Sequence, residues 1–403
     1  MSNTATIGID FGTTNSVVAM LDAERRVFRS VLCFRHDPAT RRTEHFSGPA
    51  AIDAYLDDAH DARLIMSMKS YLAQRSFSET RIHGKPWTLP ALIATFLRDL
   101  LAEHDIGDAR IVVGRPVRFA GEMVDDDFGE ARLRDSFAEA GMPDIQIALE
   151  PAAAGQRFAA GLDRPATVMV GDFGGGTSDF SLLRFDPGPP ARVTPLGHAG
   201  VGLAGDALDY RIIDHVVSPH LGKGDTYKVM GTSLPVPPNW YVAFARWHRL
   251  ALMRSPRIMR DIADVTRTAQ HPEKLDRLVR FIEDEAGYAL YRTVSGVKAA
   301  LSSAETATLA FRHADLVIDT PVARADFEAW IAPEITAMDA AVGAALGDAG
   351  LEASAVDRVF LTGGTSLVPA VRNIFARRFG ADRITGGGEF VSVAEGLAMM
   401  PPP

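Results

Sequence analysis

Two short apolar runs that flank a tight polar turn occur twice along this chain. The first pair covers residues 6–9 and 16–21, around a turn at 12–15. The second pair covers residues 167–170 and 180–185, around a turn with three glycines at 174–176. Each pair predicts a β-hairpin. Two similar hairpins about 160 residues apart indicate a duplicated architecture.

Helical periodicity and further strands account for most of the remaining chain. Residues 89–103 carry apolar side chains at helical spacing. Four prolines and a glycine predict a loop over residues 183–195. The other predicted helices are 128–139, 205–217, most of 240–310 and 365–379, and the other strands are 109–113 and 356–361. Strands interspersed with helices predict an α/β fold.

Length, composition and charge narrow the class of protein. The 403 residues favour two or three domains. Hydrophobic residues make up 47% of the chain and charged residues 23%, values typical of a folded globular protein. A net charge of −9 argues against a nucleic-acid partner, because non-specific binding to nucleic acid depends on clustered positive charge.

The single cysteine and the chain's beginning add three expectations. Cys33 stands alone, so no internal disulfide forms, and its apolar surroundings predict core packing. Eleven histidines without ligand spacing argue against zinc. The first residues lack the pattern of a signal peptide and no apolar run is long enough to cross a membrane. We therefore expect a cytoplasmic protein without a membrane partner.

The first candidate site is the turn from Asp10 to Asn15, with the sequence Asp-Phe-Gly-Thr-Thr-Asn. Glycine lets the backbone approach a ligand closely, and successive N–H groups with two hydroxyls form a cradle for phosphate oxygens. Asp10 leads into the turn and is placed to hold a hydrated divalent cation. An ordinary polar hairpin tip is the alternative interpretation.

The second candidate site has the same order of strand, acid, glycines, threonine and strand. It reads Asp172-Phe173-Gly174-Gly175-Gly176-Thr177-Ser178-Asp179. Three consecutive glycines cost chain entropy, which a simple turn does not explain. A polyphosphate bound between two such hairpins, with an aspartate from each facing a metal ion, accounts for both motifs.

A third glycine motif, Leu361-Thr362-Gly363-Gly364-Thr365-Ser366, links a predicted strand to a helix N-terminus. That arrangement favours a ligand bound against the backbone and the positive end of a helix. A strand–helix turn capped by Ser or Thr remains the alternative.

In this order, the three motifs resemble the phosphate-1, phosphate-2 and adenosine motifs of the actin/hexokinase/DnaK superfamily. The sequences of residues 8–16 and 172–179 are similar to the corresponding segments of DnaK-type heat-shock chaperones. Residues 150–154 resemble the family's first connecting helix, and residues 392–398 its last ATPase helix. The small residues of both helices would allow close packing.

The resemblance implies an α/β, two-lobed actin-like ATPase with duplicated ribonuclease H-like lobes and a nucleotide cleft between them. Lobe I would take residues 1–163, completed by 381–403, and lobe II residues 164–380. It also implies ATP and ADP as ligands, Mg²⁺ as cofactor, and client proteins or a co-chaperone as partners.

Carried over residue by residue, the resemblance assigns three groups of site residues. The implied catalytic residues are Asp10, Lys69, Glu150, Asp172 and Thr177. Asp10 and Asp172 would also hold Mg²⁺ through water, Lys69 would lie near the γ-phosphate, and Glu150 would help to order the attacking water. The implied nucleotide-binding residues are Gly12, Thr13, Thr14, Asn15, Gly174, Gly175, Gly176, Thr177, Gly205, Asp206, Lys298, Ser302, Gly363, Gly364 and Thr365.

The chain also departs from the family pattern. It stops at Pro403, where DnaK-type chaperones continue into a peptide-binding domain, so we expect a shortened homologue of the YegD kind without peptide clamping. Ala299 and Leu367 stand where the family has adenine-facing arginines, and Ser295 where it has a glutamate.

We therefore expect an ATP-binding, slowly ATP-hydrolysing, chaperone-like protein. Two alternatives from the same superfamily remain. A small-molecule kinase of the sugar-kinase type would need an aspartate base facing a sugar pocket, and a nucleotide-dependent filament would have a structural role.

Overall fold

The structure is a computed structural model, and it has a mixed α/β architecture. It describes residues 5–20, 26–37, 40, 42–57, 62–104, 106–119, 124–159, 164–186, 192–245, 250, 253–284, 286–385 and 392–400. In these ranges no helix combines the length and the apolar character that crossing a bilayer requires.

The strands are numbered in chain order. They are β1 (Thr6–Asp10), β2 (Asn15–Met20), β3 (Arg26–Arg29), β4 (Val31–Asp37), β5 (Arg42–Ser47), β6 (Ala62–Met66), β7 (Glu79–Ile82), β8 (Lys85–Thr88), β9 (Arg110–Arg115), β10 (Ile145–Leu149), β11 (Ala166–Phe173), β12 (Ser178–Asp186), β13 (Arg192–Val201), β14 (Thr226–Val229), β15 (Thr232–Pro235), β16 (Thr306–His313), β17 (Leu316–Ala323), β18 (Arg358–Thr362) and β19 (Ile384–Thr385).

The α-helices follow the same convention. They are α1 (Pro49–Asp57), α2 (Leu89–Leu101), α3 (Asp126–Glu139), α4 (Glu150–Ala159), α5 (Gly205–Ile212), α6 (Pro238–Phe244), α7 (Pro256–Thr266), α8 (Pro272–Glu283), α9 (Gly287–Leu301), α10 (Arg324–Trp330), α11 (Ala332–Ala349), α12 (Pro369–Phe379) and α13 (Ser392–Ala398).

Two five-stranded sheets share one topology. Their strand orders are β3-β2-β1-β9-β10 and β13-β12-β11-β18-β19. In each sheet the first three strands along the chain pair antiparallel with one another. A fourth strand then pairs parallel with the first strand, and a fifth pairs parallel with the fourth. The same order 3-2-1-4-5 therefore occurs twice, which confirms the duplicated, ribonuclease H-like architecture.

The central strands are apolar because both of their faces are covered. Ile7 and Ile9 of β1, and Val168 and Val170 of β11, have no exposed surface. Strands buried on both faces carry near-continuous apolar runs, which is the pattern that identified both hairpins in the sequence. Cys33 is also fully buried, as its apolar neighbours predicted.

Helices α4 and α13 pack with their backbones in direct contact. A Cβ atom placed on Gly396 would lie 1.6 Å from the carbonyl oxygen of Ala153. A Cβ atom on Gly8 of β1 would lie 2.0 Å from the carbonyl oxygen of Ala394. Only glycine fits at these two positions, so the prediction of close packing between the two helices is confirmed.

The chain divides into two compact units. The first consists of Met1–Gly205 and Ile335–Pro403 and contains both five-stranded sheets, and the second is Asp206–Glu334. The second unit contains α5 from Asp206 onwards, α6 to α10, the first three residues of α11, and the hairpins β14–β15 and β16–β17. The lobe boundaries inferred from the sequence stay a prediction.

Three predicted elements differ from the structure. The predicted loop over residues 183–195 is wrong where it overlaps β12 and β13, while 187–191 lie outside the described residues. Pro195 is tolerated because β13 is an edge strand and the register shifts there. The helical region ends at Leu301, since β16 begins at Thr306, and the last predicted helix begins at Pro369 rather than at residue 365.

Candidate functional site

The first glycine turn holds Asp10 at the end of β1. A Cβ atom on Gly12 would lie 2.0 Å from the carbonyl oxygen of Asn15, so this turn requires glycine. Asp10, Thr13 and Thr14 are half-buried and keep part of their surface open. The turn therefore has the small, partly accessible backbone that the phosphate-cradle interpretation needs.

Asn15 has a structural partner within the same sheet. Its Oδ1 accepts a hydrogen bond of 3.2 Å from Nη1 of Arg29, which lies opposite on β3. The Asn15 carbonyl oxygen Oδ1 thus ties β2 to β3.

The second glycine turn connects β11 to β12. The N–H of Gly174 donates to the carbonyl oxygen of Thr177 at 2.9 Å, which closes the turn. Gly174 is exposed, and Gly175, Gly176 and Thr177 are half-buried. Asp172 and Asp179 lie directly opposite each other across the β11–β12 ladder. Directly paired residues project to the same side of a sheet, so two carboxyl groups flank this turn.

Asp179 is a buried carboxyl group that the list of inferred site residues did not include. It is only 1% exposed, and its Oδ1 accepts a hydrogen bond of 3.2 Å from the backbone N–H of Arg118. The Thr177 side chain also hydrogen-bonds to it. A Cβ atom on Gly200 would lie 2.7 Å from Oδ1, so Gly200 leaves room for the carboxyl group. The signal was present as the second aspartate of the motif.

Lys69 points into this group of carboxylates from a short 3₁₀ turn. Its Nζ donates to Oε1 of Glu150 at 2.5 Å and lies 4.0 Å from Oδ1 of Asp10. Lys69 and Glu150 are both buried. Ser67, two residues before Lys69, is a non-glycine residue with φ of 52°. Such left-handed backbone costs energy and persists only where the surroundings enforce it.

Glu150 is the first residue of α4 and lies over β9. A Cβ atom on Gly114 of β9 would be 2.9 Å from Cγ of Glu150. The glycine therefore makes the space in which Glu150 meets Lys69. Neither Gly114 nor Asp179 was among the inferred site residues.

The electrostatics of the cluster are dominated by crowded carboxyl groups. Burial, and then repulsion from Glu150, raise the pKa of Asp10 to about 7, although Lys69 opposes the shift. Burial and repulsion from Glu150 also raise the pKa of Asp179 to about 7. The pKa of Asp172 is raised well above its ordinary value by burial and by Glu150, Asp10 and Asp179.

The same surroundings stabilise the charged form of Lys69, whereas they destabilise the charged forms of the aspartates. Burial alone would lower its pKa, but Glu150, Asp10 and Asp172 outweigh that effect and the pKa is raised. Lys69 is therefore a permanent positive charge among four carboxyl groups.

The carboxyl groups of this cluster outnumber its one ammonium group, that of Lys69. Among the described residues, no group of three or more His, Cys, Asp and Glu side chains has the geometry to ligate a metal directly. The surplus of buried carboxyl groups still favours uptake of a positive charge. Since Mg²⁺ usually keeps several waters and needs only one or two carboxylates, Asp10 and Asp172 fit a hydrated magnesium ion.

The third glycine motif packs directly on the second. β18 runs parallel to β11, with Thr362 opposite Asp172. Gly363 has φ of +87°, and a Cβ atom there would lie 2.0 Å from the carbonyl oxygen of Phe173. Gly364 is half-buried and Thr365 is buried, so the backbone rather than the Thr365 side chain is open to a ligand.

Three inferred nucleotide residues belong to the second compact unit, and Gly205 ends the first. The Tyr291 hydroxyl donates to Oδ1 of Asp206 at 3.2 Å, which connects α9 to α5. Nζ of Lys298 lies 2.9 Å from Oδ1 of the buried Asp209. The Ser302 hydroxyl donates to the carbonyl oxygen of Lys298.

The three positions that depart from the family pattern, Ser295, Ala299 and Leu367, all keep exposed surface. Ser295 and Lys298 are half-buried and Ala299 is exposed, so this face of α9 lies away from the core formed by Val294 and Val297. Leu367, in the first unit, is 44% exposed, which is high for a leucine. An apolar side chain left open beside a glycine motif is compatible with contact to a ligand.

The family described as Hsp70 protein matches residues 273–401. The matched segment contains Lys298, Ser302 and the glycine motif at 363–365, together with the last helix, α13.

Proposed function

We propose that this chain, whose residues 273–401 match the Hsp70 protein family, is an ATPase of the Hsp70/DnaK type that binds ATP and ADP with Mg²⁺ and hydrolyses ATP slowly. The match over residues 273–401 supports nucleotide binding and a chaperone-like role. Hydrolysis, the metal and the individual residues are our inference for this chain.

One observation carries the proposal: a single buried ammonium lies among carboxyl groups from both glycine hairpins. Lys69 contacts Glu150 and lies 4.0 Å from Asp10 of the first hairpin, and Asp172 of the second raises its pKa. Fixed charges held in a buried site are how proteins accelerate phosphoryl transfer. An ordinary pair of polar hairpin tips would not bury a lysine between them.

In the proposed reaction, a water molecule attacks the γ-phosphorus in line with the bridging oxygen. The new bond from the water oxygen to phosphorus forms as the bond to the bridging oxygen breaks, and ADP leaves with that electron pair. The water proton passes to a carboxylate of the cluster. Glu150 would orient the water, and Lys69 would stabilise the negative charge that develops on the γ-phosphate.

The two glycine turns would hold the phosphates through their backbone N–H groups and the hydroxyls of Thr13, Thr14 and Thr177. When bound, Mg²⁺ would supply charge neutralisation at the phosphate oxygens. Asp10 and Asp172 would hold it through water. The raised pKa values of these carboxyl groups support such a role, because a nearby cation would favour their ionised forms.

Asp206, Lys298 and Ser302 are proposed to contact the ribose and base, and the backbone of Gly363 and Gly364 the adenosine. The tight Lys298–Asp209 pair supports a fixed position for the Lys298 ammonium.

The proposed partner is a client protein or a co-chaperone, and the proposed location is the cytoplasm.

Calorimetry with Mg-ATP and Mg-ADP, combined with a phosphate-release assay, tests the proposal. We expect both nucleotides to bind and phosphate release to be slow. Chelation of Mg²⁺ should abolish release, while a control variant at the exposed Asp144, Asp144→Asn, should behave as wild type. Absence of binding by both nucleotides would overturn the proposal.

A further inference from the structure

Arg118 lies beside the second glycine hairpin, to which its backbone is hydrogen-bonded. Its N–H donates to Oδ1 of Asp179 at 3.2 Å. A Cβ atom on Gly200 would lie 2.7 Å from that oxygen and 3.4 Å from Cβ of Arg118. Arg118, Asp179 and Gly200 therefore meet at one point, next to the turn that we propose to hold the phosphates.

The Arg118 side chain differs from that of the nearby Arg115. The Arg115 guanidinium is engaged by Glu130 at 2.8 Å and by the carbonyl oxygens of Pro116 and Val117. Arg118 is exposed, and its guanidinium has no ion pair or hydrogen bond with any residue that the structure describes. Arg115 thus stabilises the segment, whereas Arg118 keeps its five donors available.

The charge balance at this point favours another cation. Asp10, Glu150, Asp172 and Asp179 face the single ammonium of Lys69. A bound triphosphate adds several more negative charges to this group. An arginine suits that surplus because its planar fork donates two parallel hydrogen bonds to a phosphate and never loses its charge.

We propose that the Arg118 guanidinium contacts the γ-phosphate of bound ATP and stabilises the charge that develops on it during hydrolysis. This inference rests on the proposed function. The backbone bond to Asp179 fixes where the side chain starts, and the long side chain supplies the reach. Arg118 would then have the role of the arginines that accelerate phosphoryl transfer in other enzymes, and it would be supplied by the same chain that binds the nucleotide.

The test compares Arg118→Ala with wild type by calorimetry with ATP and with ADP. The substitution keeps the backbone N–H, so the bond to Asp179 and the fold should survive, which thermal unfolding would verify. We expect ATP affinity to fall about tenfold or more and ADP affinity to change by less than about threefold, since only ATP carries the γ-phosphate. The rate of hydrolysis should fall on the order of 10²-fold.

Two further variants sharpen the result. Arg118→Lys keeps the charge but loses the fork, so it should recover part of the ATP affinity and little of the rate. Arg358→Ala is the matched control, because Arg358 is also exposed but lies at the start of β18, opposite the end that carries Thr362. It should leave both affinities unchanged.

Equal losses of ATP and ADP affinity in Arg118→Ala, or no loss of either, would overturn the assignment and leave Arg118 as a backbone cap for Asp179. That outcome differs from failure of the proposed function, in which wild type itself binds neither nucleotide and the Arg118 assignment falls with it. If wild type binds ATP without hydrolysing it, the ATP-to-ADP comparison still decides the matter.

Discussion

The Lys69 ammonium lies 2.5 Å from Oε1 of Glu150, although the two residues are 81 positions apart in sequence. Both side chains are more than nine-tenths buried. A buried ion pair costs desolvation on both sides, so it is weak evidence for stability by itself. Its position among three further carboxyl groups indicates that the pair serves the proposed chemistry.

Asp172→Asn should abolish most hydrolysis without weakening the nucleotide-free fold. The amide has the same shape but removes a carboxyl group that its neighbours repel, as its raised pKa indicates. We expect the rate to fall on the order of 10²–10³-fold, measured by phosphate release, with an unchanged or higher midpoint of thermal unfolding. A loss of less than about threefold in a wild type with measurable turnover would contradict the role.

Lys69→Ala should also abolish hydrolysis, but with a different effect on stability. Removal of Lys69 leaves Glu150 buried without its partner, and breaking such a pair costs about 3–5 kcal/mol in the free energy of unfolding. Adding Glu150→Gln to this variant should restore most of the lost stability and none of the activity. Denaturant unfolding of the four forms gives the coupling energy, and independent effects would disprove the pairing.

The stability of the nucleotide-free protein should depend on the buried carboxyl groups. The pKa values of Asp10 and Asp179 rise from 3.8 to about 7 on folding. Between those values the native state binds more protons than the unfolded state, so this contribution to stability falls as the pH rises. It is complete below about pH 4 and lost above about pH 7.

Asp179→Asn isolates this effect from other titrating groups. The variant should lose less stability than wild type between about pH 5 and about pH 8, as measured by thermal unfolding. The exposed Asp144 again supplies the control, because Asp144→Asn should reproduce the wild-type slope. Identical slopes in all three proteins would refute the prediction.

Gly363→Ala should destabilise the first unit. The left-handed backbone at φ of +87° costs a non-glycine residue about 1–3 kcal/mol, and the new Cβ atom would collide with the Phe173 carbonyl oxygen. Gly347→Ala is the matched control. Gly347 lies inside α11 with open space around it, so alanine should raise stability by about 0.5–1 kcal/mol. Similar unfolding midpoints for the two variants would contradict the assignment.

Wild type should discriminate poorly between ATP and GTP. Ala299 and Leu367, which replace the arginines that the family resemblance implies, are both exposed and aliphatic. A guanidinium stacked on a base contributes about 0.5–2 kcal/mol, so losing two should weaken ATP binding roughly 10- to 1000-fold. Calorimetry with ATP and GTP should give similar affinities.

The double variant Ala299→Arg/Leu367→Arg tests the cause. It should bind ATP more tightly than wild type does, and more tightly than it binds GTP. Tight, ATP-selective binding by wild type that the two arginines leave unchanged would show that Leu367 or another group already recognises the base.

The sequence predicted the hairpins because their signals are local. Alternating and continuous apolar runs around glycine turns identified β1–β2 and β11–β12, and the repeat of the hairpin indicated the duplication. The β13 strand was missed because Pro195 normally argues against a strand, and its place at a sheet edge is a tertiary property.

The site was predicted in its motifs but not in its partners. Lys69 and Glu150 were each named from the resemblance, yet their contact spans 81 residues and follows only from the fold. Gly114 and Arg118 had no signal of their own, because each acquires its place through a neighbour from another strand or turn. Asp179 was visible as the second aspartate of its motif, but its burial and its bond to Arg118 follow only from the fold. The likeness to shortened homologues stays a prediction.

The ion pairs around lysine have a consequence for chemical labelling. The chain has only six lysines, and the ammonium groups of four of them, Lys69, Lys223, Lys274 and Lys298, lie within 3.0 Å of a carboxylate oxygen. Amine-reactive reagents attack the neutral, accessible amine, so these four should react slowly. Lys85 and Lys228 are exposed, and mild acylation should modify them first.

One of these accessible amines belongs to each compact unit, since Lys85 lies in the first and Lys228 in the second. The chain therefore carries a natural pair of attachment points for cross-linkers or paired dyes, without any introduced cysteine. Because Cys33 is buried, its thiol should not compete with these amines for the labelling reagent. A change in cross-linking yield on addition of nucleotide would show that the ligand alters the distance between Lys85 and Lys228.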